Sequence, residues 1–172
     1  CFNQSQLIGN GLILPSGPLR DSLNSLKEAQ IILINGEKNI EFERKNLNIN
    51  ENLKIFYSSY IATNIDEFRN KKLIALAGIG NPENFFQLLL KNGLTIEKKL
   101  IYPDHYEFTK KEILDILKDA SKNNCQIIMT EKDYFKIKKF QLEKIKYTKI
   151  ELEIYQKDKL LKIVSKLYGQ NN

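Results

Sequence analysis

From Lys71 onward the hydrophobic positions fall into runs of two alternating kinds. Leu73-Ile74-Ala75-Leu76-Ala77 is an unbroken apolar run closed by Gly78-Ile79-Gly80, the pattern of a strand buried on both faces. Asn81 suits a helix N-cap and Pro82 a first helical position; Phe85, Phe86, Leu88, Leu89 and Leu90 carry that helix until Asn92-Gly93 stops it. Leu94 to Tyr102 reads as the next strand, and Pro103-Asp104-His105 follows it. Thr109 and Glu112 have the spacing of a capping box, opening a helix with Ile113, Ile116, Leu117 and Ala120 on its apolar side. Gln126 to Met129 predicts a third strand, and Thr130-Glu131-Lys132-Asp133 opens another helix by the same capping logic. Tyr147 to Ile154 alternates as one strand, and Leu160, Leu161, Val164 and Leu167 mark a closing helix.

The earlier part is less regular. Ile8-Gly9-Asn10-Gly11 through Leu14-Pro15-Ser16-Gly17-Pro18-Leu19-Arg20 is dense in glycine and proline and predicts an ordered loop of fixed turns. A short helix through Leu23, Leu26 and Ala29 precedes Ile31-Ile32-Leu33-Ile34, a buried-type strand closed by Asn35-Gly36. Lys38 to Asn52 is polar and reads as a surface connection; Leu53 to Ile61 reads as extended. Strands alternating with helices of this length predict right-handed βαβ crossovers. The fold class is α/β, a mostly parallel sheet with flanking helices.

Composition narrows the function. The 172 residues are 42% hydrophobic and 28% charged, as in ordinary globular proteins, and fit one domain or one domain and part of another. No stretch approaches the roughly 20 consecutive apolar residues that span a bilayer, and no secretory signal pattern is present. Cys1 and Cys125 are too few for a disulfide framework, which fits a reducing setting. The chain begins with Cys1 and its only methionine is Met129, so the sequence is expected to be a piece of a longer protein. The net charge of +6 comes almost wholly from lysine; the arginines are Arg20, Arg44 and Arg69. Arginine is the residue suited to bidentate phosphate and base contacts, so nucleic acid is not the expected partner. A diffuse positive surface is compatible with anionic membranes.

Ligands of open parallel sheets bind beyond the carboxyl ends of the strands. Three segments fall there: Gly78-Ile79-Gly80-Asn81, Tyr102-Pro103-Asp104-His105 and Thr130-Glu131-Lys132-Asp133. Gly78 and Gly80 would let a ligand approach the backbone, with helix amides aimed at an anion, but a plain strand-to-helix turn explains them first. His105 is the only histidine and hence the one imidazole available as a general base; a loop histidine packed on Tyr102 and Tyr106 serves the position equally well. Asp104 is placed to orient it. Capping accounts for Thr130 and Asp133, leaving Glu131 and Lys132 as the functional candidates of that segment. Arg20, on a proline-stiffened loop, is a candidate phosphate ligand or a surface ion-pair partner.

Taken together, Gly9-Asn10-Gly11, Leu14 to Asp21, Ala77 to Phe86, Pro103-Asp104-His105 and Thr130 to Asp133 resemble the tetraacyldisaccharide 4'-kinase family of Gram-negative bacteria, in order and spacing, over almost the whole chain. The resemblance implies transfer of the γ-phosphoryl of ATP, with Mg2+, to the 4'-hydroxyl of a tetraacylated disaccharide 1-phosphate, the lipid A precursor. It also implies a peripheral site at the cytoplasmic face of the inner membrane. On that map residues 1–50 are the tail of a P-loop-type nucleotide-binding domain, incomplete here; 51–70 are a β linker and 71–172 a smaller C-terminal α/β domain. The catalytic residue is His105, paired in the family with an aspartate of a segment not found here. Substrate or phosphate contacts fall to Arg20, Asn10, Gly78, Gly80, Asn81, Asp104, Glu131 and Lys132, and no metal ligand falls in this chain.

The departures are small where the motifs align: Tyr106 replaces a second histidine, Ser16 an alanine and Asp21 a glutamate. No G-x-x-x-x-G-K-[ST] occurs between Cys1 and Asn172, so the chain alone is expected to be inactive, with ATP and Mg2+ held mainly elsewhere. The alternative is a free-standing, non-catalytic α/β module for a phosphorylated small molecule.

Overall fold

The computed structural model describes residues 1–48 and 51–169. It is a mixed α/β structure with two parallel sheets flanked by helices, and it divides into two compact units. The first comprises Cys1–Tyr60 and the chain from Leu152 onward; the second is Ile61–Glu151. The sequence reading placed its boundaries after residues 50 and 70 and ran the second domain to residue 172. The fold changes units inside two strands instead and returns the last segment to the first unit.

In the first unit the strands are β1 (Phe2–Asn3), β2 (Ile31–Asn35), β3 (Lys54–Ala62) and β8 (Ile150–Ile154), in the order β1-β2-β3-β8. β1, β2 and β3 run parallel, with Ile34 of β2 opposite both Phe2 and Tyr57. Ile32, Ile34 and Tyr57 form a core with Phe42 and Leu47. The last two correct the expected surface connection. Asn39 caps a short helix α1 (Ile40–Phe42) by accepting from the Phe42 N–H at 2.9 Å, and α1 continues as a π-helical turn over Glu43–Leu47. That wider turn closes i→i+5, which brings Phe42 and Leu47 onto one side, so two apolar residues anchor an otherwise polar stretch. The closing helix, α5 (Lys157–Gly169), carries half-buried Leu160, Ile163, Val164 and Leu167.

The second unit contains β4 (Lys72–Ala77), α2 (Pro82–Lys91), β5 (Thr95–Ile101), α3 (Lys110–Lys122), β6 (Cys125–Thr130), α4 (Glu131–Ile137) and β7 (Ile145–Thr148). The strands are parallel in the order β5-β4-β6-β7. Central β4 is buried from Leu73 to Ala77 because helices cover both its faces. Leu73, Ala75 and Ala77 pack with Phe85, Phe86 and Leu89 of α2; Ile74 and Leu76 pack on the other side with Ile113 and Ala120 of α3 and Ile137 of α4. Helix starts follow the local chemistry. The Thr109–Glu112 capping box forms as expected, and Thr130 caps α4 by accepting from the Asp133 N–H.

The alternation from Tyr147 to Ile154, read as one strand, is two. β7 ends at Thr148 beside β6, and β8 starts at Ile150 in the other sheet. Lys149 makes the break: its N–H donates to Asn64 Oδ1 at 2.9 Å and its carbonyl accepts from the Thr63 N–H at 3.0 Å. No helix among the described residues is long and apolar enough to cross a membrane.

Candidate functional site

After β4 the chain crosses α2 to β5 on one side, then α3 to β6 on the other. The carboxyl ends of β4 and β6 therefore adjoin where the winding reverses, the position at which open α/β sheets leave a crevice. Four expected segment members meet there: the Gly78–Gly80 turn, Asp104, His105 and Lys132.

Asp104 is the centre of this group. Lys132 Nζ donates to its Oδ1 at 3.1 Å, and the His105 N–H donates to the same oxygen at 2.9 Å. The Lys132 hydrogen bond, first, and that His105 N–H hold the Asp104 carboxyl below its usual range, so it stays ionised at neutral pH. Its Oδ2 lies 3.9 Å from His105 Nε2. A Cβ on Gly80 would stand 3.3 Å from that Oδ2, so glycine here keeps the turn close to the carboxylate.

His105 is presented to solvent. Its side chain is 78% exposed, and its backbone adopts a left-handed φ of 60°. Left-handed backbone is uncommon outside glycine but accessible to histidine. Packing on neighbouring tyrosines, one of the two readings of this residue, is not what the fold builds. Tyr102, Tyr106 and Phe108 pack on one another, with Tyr102–Tyr106 and Tyr102–Phe108 centroids 4.9 Å apart. Tyr106 Oη also donates to Glu112 at 2.6 Å, so the residue after His105 is an anchor for its loop.

The other expected residues have local partners or none. Asn81 caps α2, accepting from the Asn84 N–H at 3.4 Å. Glu131 is exposed and joins none of the contacts around Asp104. The Gly78 N–H, read as a possible anion donor, is already occupied: it donates to the buried carboxylate of Asp133 at 2.8 Å. In the first unit, Asn10 staples its own loop, donating to the Ser16 carbonyl at 2.8 Å and accepting from the Leu12 N–H at 3.1 Å. Arg20 is exposed, at the end of the segment this staple rigidifies, and makes no hydrogen bond or ion pair among the described residues. Among the described residues no group of three or more His, Cys, Asp or Glu side chains could hold a metal ion.

The sequence profile of the family described as Tetraacyldisaccharide-1-P 4'-kinase matches residues 1–168. The chain belongs to that family. It is 40% identical over 174 residues to the tetraacyldisaccharide 4'-kinase of Pelagibacter ubique (strain HTCC1062), covering 99% of this chain and 55% of that protein. It is 33% identical over 144 residues to the Rickettsia bellii (strain OSU 85-389) kinase of the same name, covering 78% of this chain and 41% of that one. Thus the chain spans about half the length of the curated relatives it matches. A solved structure, described as the apo form of LpxK from Aquifex aeolicus in complex with ATP, shares the fold with a TM-score of 0.63 at 18% identity. That likeness covers 95% of this chain and 50% of the other.

The contact that the sequence does not announce is made by Asp133. Its N3 position explains a cap, and its carboxylate accepts from Oγ1 of the N-cap Thr130, but the same oxygen also accepts from the Gly78 N–H, in a turn far away in the chain. The available signal was an acidic residue, Asp133, in the first turn of a helix that follows a buried strand, in the same segment that carries Lys132.

Proposed function

We propose that this chain forms part of an enzyme that transfers the γ-phosphoryl of ATP to the 4'-hydroxyl of a tetraacyldisaccharide 1-phosphate in lipid A assembly, working peripherally at the cytoplasmic face of the inner membrane. Family membership and the names of the relatives support the activity. The observation that carries this chain's share in it is the exposed His105 at the carboxyl edge of the second sheet, with an ionised Asp104 beside it. The cradle for the nucleotide phosphates and the magnesium belong, on this reading, to the part of the relatives that the chain does not span. The chain alone is then inactive.

Phosphoryl transfer asks little covalent chemistry of a protein; positioning and charge stabilisation dominate. The acceptor hydroxyl must still be aligned and lose its proton. His105 takes that proton, in concert with the aspartate that the family resemblance supplies from outside this chain. Asp104, whose Oδ2 lies 3.9 Å from Nε2, is placed to orient the ring. Lys132 holds Asp104 in place. Arg20, free of protein partners among the described residues, is suited to phosphate oxygens of the substrate through its planar fork.

The test is His105→Ala in a kinase of full family length carrying these residues. General-base assistance is worth about 10²–10⁴ in rate, so kcat should fall by that order while the KM for ATP and the melting temperature hold. A near-wild-type kcat would remove His105 from the chemistry.

A further inference from the structure

Asp133 is fully buried, and Lys136, one turn further along α4, has a side chain only 15% exposed. Burial of both is unusual: lysine and aspartate are almost never enclosed unless paired, and a buried pair adds little stability over apolar residues of the same size. What this pair does is connect. Asp133 Oδ2 accepts from the Gly78 N–H at 2.8 Å and from Thr130 Oγ1 at 2.7 Å. Lys136 Nζ donates to Asp133 Oδ1 at 3.0 Å and to the Tyr106 carbonyl at 3.2 Å. The end of β4, the end of β6 and the residue after His105 are thus tied through one carboxylate and one ammonium.

A capping role does not explain this wiring. The carboxylate of a capping box returns to the backbone of its own N-cap residue, whereas Asp133 reaches a turn 55 residues earlier in the chain. Nor would a cap need Lys136 to reach the His105 loop. That loop gains from holding, because His105 sits at a left-handed φ of 60°, a conformation uncommon outside glycine. The Tyr106 N–H to Pro103 carbonyl bond at 3.2 Å secures the turn from within, and Lys136 secures it from α4.

We propose that Asp133 and Lys136 are positioning residues, a buried ion pair that sets the His105 loop against the Gly78–Gly80 turn for phosphoryl transfer. This rests on the reading of His105 as the proton-handling residue. A misplacement of about 1 Å at a reacting group costs on the order of 10²-fold in rate, so removing the tie should be visible in kcat without loss of the fold.

The experiment is a double-mutant cycle in the full-length kinase with Lys136→Met, His105→Ala and the double variant, following kcat, the KM for ATP and melting temperature. Lys136→Met should lower kcat by about 10–100-fold and leave the KM for ATP unchanged. In the double variant it should cost nothing beyond His105→Ala, because a residue acting through the imidazole has no effect once the imidazole is gone. Lys136→Arg, which can donate to both acceptors, should restore most of the rate. If Lys136→Met does not fold, Lys136→Gln takes its place in the same cycle. Additive losses, or wild-type kcat in the Lys136 variant while His105→Ala is slow, overturn the positioning role and leave the reading of His105 standing. Wild-type kcat in His105→Ala overturns both.

Discussion

Gly78 and Gly80 lie two residues apart in one turn, yet a methyl group added at each should have different consequences. At Gly78, which is buried, the new Cβ would stand 3.2 Å from Asp133 Oδ1, 3.4 Å from the Pro103 carbonyl oxygen and 3.5 Å from Tyr102 Cβ. Asp133 cannot yield easily, because Gly78, Thr130 and Lys136 all hold its carboxylate. At exposed Gly80 the tight contact is Asp104 Oδ2, at 3.3 Å, on a partly exposed side chain whose hydrogen bonds go to the other oxygen, so that Oδ2 can give by a few tenths of an ångström. Overpacking a rigid site costs about 1–3 kcal/mol. Replacing glycine with alanine returns about 0.4–1 kcal/mol by restricting the unfolded chain. Gly78→Ala should therefore destabilise by about 1–2 kcal/mol, whereas Gly80→Ala should come out near zero. In a domain of about 60–100 residues each kcal/mol shifts Tm by about 4–8 °C, so Gly78→Ala should melt about 4–16 °C lower. Thermal unfolding followed by circular dichroism, with urea titration to check that the slope is unchanged, reads the difference. The amide of residue 78 should also exchange faster with solvent, since its bond to Asp133 is the one stretched. Equal melting temperatures for the two variants would refute the claim that Asp133 is rigidly held.

Two further outcomes follow from the loop and helix beside the site. Hydrogen bonds from the Thr109 side chain, then Tyr106, pull the Glu112 carboxyl down to about 2, so the folded state binds its proton more weakly than the unfolded chain. The stabilisation this gives is present above the ordinary carboxylate range and is lost as pH falls toward about 2; the Tm gap between wild type and Glu112→Gln should accordingly be full at neutral pH and close in acid. At His105, where φ is 60°, His105→Gly should melt at or above the wild-type temperature and above His105→Ala, because only glycine adopts that backbone freely; a lower Tm for His105→Gly would mean that the imidazole holds the loop.

Much of the second unit was legible from residues alone because the signals are local. A five-residue apolar run, Leu73 to Ala77, needs cover on both faces, and helices on either side provide it. Asn81-Pro82 and the Thr109–Glu112 box start their helices using atoms within four residues of each other. The three segments at the carboxyl edge follow from the order of strands and helices. Tertiary structure decided what depends on partners distant in sequence. Alternation from Tyr147 to Ile154 states which side chains share a face, but not that Thr148 and Ile150 belong to different sheets. Phe42 and Leu47 are two apolar residues in a polar stretch, too few to show a period, and only the core they enter reveals their role. Asp133 has the look of a cap because its nearest neighbours in sequence complete one; its hydrogen bond to Gly78 exists because β4 and β6 lie side by side, and pairing between strands separated by a whole helix–strand–helix is a property of the folded sheet, which no window of sequence contains.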